Sequence, residues 1–135
     1  MTDRSGIICA GNWIVDLIHE LDRWPNESEL VRIGTQARGV GGGPANVITT
    51  LAKLETGLPL YPMGAIGEDE YGAFILKECS RLGLPTSGLI SKAEVATAHT
   101  HVMSVAGQSR TFFYQGGAND TLNINDFPEG TFKGT

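Results

Sequence analysis

Four of the five residues from Gly39 to Gly43 are glycine, and Pro44-Ala45-Asn46 follow directly. No other stretch of the chain narrows its possible folds so much. Glycine has no Cβ and accepts positive φ, so backbone amides here can approach a ligand or another segment closely. Pro44 suits the first turn of a helix, where its missing N–H would be unpaired anyway. From Ala45 onward Val47, Ile48, Leu51, Ala52 and Leu54 give a broad apolar face at helical spacing. The pattern predicts a glycine loop running into a helix N-terminus, a place of free N–H groups and partial positive charge that suits a polar or anionic small molecule. A tight turn that needs glycine for steric reasons alone is the competing reading.

At 135 residues the chain has the size of one ordinary domain, and 41% hydrophobic with 19% charged residues are globular values. A net charge of −5 without any lysine or arginine cluster argues against a nucleic-acid surface. Cys9 and Cys79 lie in apolar runs without metal or redox spacing, which predicts two buried free thiols. Asp3 and Arg4 precede only four apolar residues, Ile7 to Ala10, so no signal peptide is read. No run approaches the roughly 20 apolar residues of a membrane span. A cytoplasmic protein with no membrane partner is the expectation.

Ile7 to Ala10 reads as a short buried strand closed by Gly11-Asn12. Asp16 then stands alone among Trp13, Ile14, Val15, Leu17 and Ile18, and an unpaired buried carboxylate is costly, so it reaches solvent or has a partner. His19 to Trp24 reads as polar and amphipathic, Pro25 to Ser28 as a turn, and Leu30 to Gly34 as a short strand. A helix is predicted over 44–55 with Gly57 as its cap, then a strand over 58–65 made edge-like or irregular by Pro59 and Pro62. Gly64 to Glu70 reads as a second glycine loop leading into a helix over 70–82, whose acidic start favours the helix dipole. Leu89-Ile90 begins another strand, and 96–105 with 110–115 form a hairpin around Ala106 to Ser109. The order of elements predicts an α/β fold with a small parallel sheet of three to four strands and two helices.

Walker A, dinucleotide, nucleophile-elbow and zinc spacings are all absent. His99 and His101 share one face of a predicted strand, which reads as a solvent-facing or pocket-lining pair rather than a metal site. What remains is Asp16, the Gly41–Gly43 backbone and Asn46. A carboxylate, an amide and bare N–H groups together supply the acceptors and donors that read hydroxyls.

These residues carry a resemblance. Gly11 to Asp16, Gly41-Gly42-Gly43-Pro44-Ala45-Asn46, Leu51 to Leu54, Gly64 to Asp69 with Tyr71-Gly72, and Arg110 to Asn119 resemble the N-terminal part of the ribokinase-like (PfkB family) carbohydrate kinases. The resemblance implies a doubly wound α/β domain, incomplete in this chain, with a small β lid from about 17–38 and 97–115. It implies ATP-dependent phosphorylation of a sugar or related hydroxyl compound, with Asp16, Asn46 and the Gly41, Gly42 and Gly43 backbone binding substrate. Thr111, Phe113 and Gln115 alternate onto one lid face, and Gln115 is a further polar candidate beside a plain sheet-surface role. Gly43 stands where such kinases often have lysine and Ile14 where they have asparagine, which implies a sugar or sugar acid other than ribose. Nothing after Asn119 matches the later motif holding the family's catalytic base, anion hole and ATP site. The chain therefore reads as the substrate side, with no catalytic residue and no metal ligand of its own, ATP and Mg being bound mainly by residues outside it. A non-catalytic sugar-binding module, its exposed lid strands pairing with a second chain as in a homodimer, and a nucleoside kinase of the same superfamily are the alternatives.

Overall fold

The computed structural model describes residues 4–133. Its strands form two sheets that meet along the segment Gly11–Trp13. The first sheet is parallel, in the order β1 (Ile7–Ala10), β4 (Leu60–Gly67), β5 (Leu89–Lys92). Parallel neighbours need crossover connections, and two helices supply covering elements: α1 (Gly43–Lys53) and α2 (Glu70–Arg81). Both place their apolar stripes in one core, where Ile48 of α1 and Ile75 and Cys79 of α2 meet Cys9, Ile66 and Leu89 of the sheet. Cys9 and Cys79 are free and buried, as their apolar surroundings predict. Burial, with the Glu78 charge adding to it, pushes the Cys79 thiol up to about 11. Such a thiol is a packing group rather than a nucleophile.

The second sheet is mixed, in the order β3-β2-β6-β7, with β2 (Ile14–Leu21), β3 (Ile33–Gly41), β6 (His99–Val105) and β7 (Thr111–Gln115). β2 pairs antiparallel with β3 and parallel with β6, and β6 closes a hairpin with β7. The turn falls at Ala106–Gln108, where Gly107 takes φ +77°. Side chains alternate across this sheet. Val15, Leu17 and Val40 point into the core shared with the helices. The other face, with Asp16 and Ile18 on β2 and their register partners Thr100 and Val102 on β6, lies away from that core.

Several expectations change. The glycine run is not a loop: Gly39 and Gly41 are strand residues, in register with Asp16 and Ile14, Gly42 is the joint at φ +98°, and Gly43 already begins α1. β2 continues through His19 to Leu21, where a turn-bound polar segment was expected, because pairing on both sides extends it. β3 begins at Ile33 rather than Leu30 and is much longer than the expected stub. β6 starts three residues later than the predicted 96 and β7 one later than 110. α1 ends at Lys53 with Leu54 as its cap, so Gly57 serves the following turn instead.

β4 is the central strand of its sheet, although Pro59 and Pro62 pointed to an edge. The register explains how. Met63 O accepts from Gly11 N on the β1 side, while Gly64 N donates to Gly88 O on the β5 side. Even-numbered residues of β4 therefore direct their N–H toward β5, and β5 pairs only from Gly64 onward. At Pro62 the pairing with β5 has not yet begun, so the missing donor costs no ladder bond. Gly64 and Gly67 are not loop glycines either. A Cβ on Gly64 would collide with the Trp13 ring, and one on Gly67 with the 95–97 backbone.

The seam between the sheets is tied by two polar knots. Asp69 caps α2 by accepting from Gly72 N at 2.8 Å, and it also takes Thr97 Oγ1 at 2.6 Å and Thr97 N at 2.8 Å. Burial works against its charge, but these bonds and the nearby His99 hold the Asp69 carboxyl below its ordinary range. A carboxyl depressed on folding stabilises the fold above its unfolded pKa, and that contribution is lost as pH falls through the folded value. Asp69→Asn cannot accept all three bonds. The expected result is a lower urea midpoint at pH 7 and a smaller further loss than the parent shows between about pH 5 and 2, read from unfolding curves across that range.

Candidate functional site

Asp16 lies at the point where both sheets, α1 and the glycine run converge. On β2 it is opposite Gly39 of β3 and Thr100 of β6. Its carboxylate lies over Gly41, where any Cβ would collide with its oxygens. Gly41 is thus glycine because a side chain would displace the acid. Burial raises the Asp16 pKa, while the Thr100 hydroxyl and the Arg110 charge pull it back part of the way. The result is a half-buried carboxylate lacking a full set of donors from the protein.

Gly42 is the cap of α1, at φ +98° and ψ 150°, and no side chain caps the helix. A Cβ at Gly42 would strike Asn12 O, and Gly11 sits beside the Pro44 ring. The first turn of α1 carries no acidic residue and has Pro44 near its start. Its leading amides, with the helix dipole behind them, therefore lack a side-chain partner of their own. Asn46 follows in the same turn; its N–H closes the first helical bond to Gly42 O at 3.0 Å. The Asn46 residue is exposed, and among the described residues its amide makes no side-chain hydrogen bond.

The structure thus brings Asp16, Gly41, Gly42, Gly43 and the Asn46 turn together. Gln115 is placed differently. It is in register with His99, and His99 with Val15, so it lies at the same end of the sheet but on the face opposite Asp16. Tyr114, in register with Thr100, shares the Asp16 face, as Phe112 shares that of Val102. The Arg110 guanidinium sits 5.9 Å from the Phe112 ring centre. Thr100, Tyr114 and Arg110 were not singled out by sequence. Only the long-range pairing of β2 with β6 and of β6 with β7 assigns them to the side of Asp16.

The Asp16 end is held by Trp13 and Asn119. Asn119 Nδ2 donates to Trp13 O at 3.1 Å and its Oδ1 accepts from Trp13 N at 3.3 Å, across 106 residues of sequence. Trp13 Nε1 donates to Met63 O at 2.9 Å. These bonds fix the turn from β1 into β2 and hence the height of Asp16 above Gly41.

Among the described residues no cluster of three histidine, cysteine, aspartate or glutamate side chains could hold a metal ion, and no helix is long and apolar enough to cross a membrane. A cleft of about 500 Å³ opens elsewhere, between the parallel sheet and residues 127–133, lined by Ile8, Tyr61, Met63, Ile90 and Phe127. Its polar side chains, among them Ser5, Ser87, Thr131 and Lys133, include no carboxylate, whereas the Asp16 site gathers a carboxylate, a hydroxyl, an amide and helix N–H groups.

Comparisons with known proteins bear on the family and the fold. Residues 4–131 match the family model described as pfkB family carbohydrate kinase. The chain is 31% identical over 135 residues to a 5-dehydro-2-deoxygluconokinase of Listeria innocua, covering 98% of this chain and 40% of that protein. It is 29% identical over 117 residues to a ribokinase of Bacillus subtilis, covering 85% of this chain and 39% of that one. The structure of Arabidopsis thaliana ribokinase complexed with ribose and ATP matches with a TM-score of 0.74 at 27% identity, over 86% of this chain and 37% of the other. The chain spans about two fifths of the length of the curated relatives it matches.

Proposed function

Because this chain belongs to the pfkB family of carbohydrate kinases, we propose that it forms the substrate-binding part of an enzyme that transfers phosphate from ATP to a hydroxyl of a sugar or sugar acid. The observation that carries this reading is the half-buried Asp16 carboxylate over Gly41, beside an uncapped helix start and the free amide of Asn46. A desolvated carboxylate short of donors binds vicinal hydroxyls well, because each O–H supplies a charge-assisted bond. Asn46 offers both a donor and an acceptor, and the Gly42–Gly43 backbone allows the ring to come close.

The four-stranded sheet serves in this reading as a lid over the sugar, built from 17–38 and 97–115, and residues 1–135 form the N-terminal part of one kinase domain. Ile18 and Tyr114, on the Asp16 side of that sheet, supply apolar surface for the carbon face of the ring. Gln115 takes part only if the ligand reaches around the end of β7. Exposed Phe112, Phe113 and Tyr114 on the outer strand support pairing of two copies through the lid. Sugar acids enter the proposal through the 5-dehydro-2-deoxygluconokinase relative. ATP and Mg are assigned in this reading to residues outside this chain, as the family resemblance implies.

A thermal-shift panel of neutral sugars, sugar acids and nucleosides tests the proposal. At least one sugar or sugar acid at about 100 times its dissociation constant is expected to raise Tm by several degrees. Stabilisation by nucleosides and by no sugar contradicts the substrate class.

A further inference from the structure

The chain has three histidines, and all three meet on the side of the lid sheet opposite Asp16. His19 of β2 is buried, and its ring stacks on that of His101 of β6 with centroids 5.3 Å apart and planes 14° from parallel. His19 Nε2 and His101 Nδ1 are 3.0 Å apart, and Gln36 Nε2 of β3 is 3.1 Å from His19 Nδ1. The edge of His99 lies against His101 at 5.6 Å, and Tyr71 of α2 lies 5.2 Å from His99. The cluster therefore links β3, β2 and β6 in one line and touches α2 at its end.

Proton counting shows what this line tolerates. With both rings neutral, the Gln36 amide donates to His19 Nδ1, His19 Nε2–H donates to His101 Nδ1, and every nitrogen in the chain of bonds is used once. One added proton is accommodated when the Gln36 amide turns over, so that its oxygen accepts from His19 Nδ1–H while Nε2–H still points at His101. A second proton has no place. It would sit on His101 Nδ1, aimed at another N–H, between two stacked cations.

The charged and titratable neighbours do not relieve that conflict. Arg38 on β3 adds positive charge and is already paired with Glu70 of α2 at 2.9 Å while stacking on Phe74 at 4.5 Å. Asp69 is engaged by Thr97 and Gly72 and faces His99 rather than the stacked pair. On β7, Phe113 and Gln115 stand opposite His101 and His99 and carry no charge. Burial, with His19 and His99 nearby, lowers the His101 pKa, in keeping with a ring that resists its proton.

We propose that His19 and His101 form a one-proton latch of the lid: the pair holds β2, β3 and β6 together while it carries at most one added proton, and a second proton parts the rings and loosens the sheet. Coupled rings of this kind titrate in two macroscopic steps. Nothing in the sugar-binding reading requires such a latch, so the two stand or fall separately.

Nitrogen-15 NMR of the histidine rings between pH 8 and 4.5, with amide hydrogen exchange of the same chain, tests the proposal. The unmodified protein is expected to show two ring steps more than one pH unit apart, His101 taking the later proton as pH falls. Protection of the Ile18 and Val102 amides should drop at least tenfold across the second step. In His101→Gln the acid loss of protection should disappear. Independent titration of the two rings within a few tenths of a pH unit, or protection that is flat through the second step, overturns the latch. An equal acid loss in His101→Gln overturns it as well.

Discussion

Asp16→Ala should weaken sugar binding by about two to four orders of magnitude, read as a dissociation constant by titration calorimetry or as KM in the catalytically complete enzyme. The magnitude follows from losing two hydrogen bonds to a charged acceptor, each worth roughly 1.5–3 kcal/mol. The same change should leave the fold intact or make it more stable. Burial raises the Asp16 pKa, so its ionised form is disfavoured in the folded state. For an acid whose pKa rises on folding, stability declines as pH climbs from the unfolded value through the folded one, and stays lower above it. The variant should lack that decline. Its urea midpoint at pH 7 should therefore equal or exceed that of the parent, a trade of stability for function common at binding sites.

Asn119→Ala carries the second large expectation, and it concerns stability. Both Asn119 hydrogen bonds go to the Trp13 backbone, and both are buried. Truncation leaves an N–H and a C=O of Trp13 unpaired in a place water does not easily reach. Unsatisfied buried groups cost about 1–3 kcal/mol each, so a loss of roughly 2–5 kcal/mol is expected in chemical denaturation. Because Trp13 positions the start of β2, ligand affinity should fall too, at temperatures where the variant is still folded. Unchanged stability would mean that the packing of the Trp13 ring against Gly64, and not the asparagine clasp, holds this turn.

The contrast between these two residues shows what could be read from the chain. Asp16 stood out because a carboxylate among Trp13, Ile14, Val15 and Leu17 breaks an apolar pattern, and local composition is enough to register that. α2 was legible for similar reasons: Tyr71, Phe74, Ile75 and Cys79 keep helical period, and the acidic residues at its start favour the helix dipole. The N-terminal start of α1 followed from Pro44. Asn119 enters the sequence reading as part of a glycine-rich break and as the end of the Arg110–Asn119 stretch, without a role of its own, since nothing local says that its amide reaches Trp13. Thr100 and Tyr114 were invisible for the same reason, because their side of the sheet is set by pairing with β2, some 80 residues away in sequence.

The glycines misled in a physically instructive way. Gly39, Gly41 and Gly67 fall in stretches that read as loops, and Gly64 where a predicted strand and a predicted loop overlap, yet all four lie in strands. At Gly41, Gly64 and Gly67 the missing Cβ makes room for a neighbour: the Asp16 carboxylate, the Trp13 indole and the 95–97 backbone. Close approach and turning both select glycine, and single-sequence patterns do not separate them. Pro62 misled likewise, because its tolerance depends on where β5 begins rather than on any local property of β4.

The central claim is that sugar is read by Asp16, the Gly41–Gly43 backbone and Asn46, from the open face of the four-stranded sheet. Titrating a stabilising sugar or sugar acid into nitrogen-15-labelled protein, and following backbone and asparagine side-chain amides by NMR, tests it most directly. The largest shifts should fall on Gly41, Gly42, Gly43, the Asn46 side chain and Thr100, with saturation at one ligand per chain and none of these shifts in Asp16→Ala. Shifts centred instead on Ile8, Tyr61, Met63 and Ile90, around the cleft beneath the parallel sheet, would contradict the account.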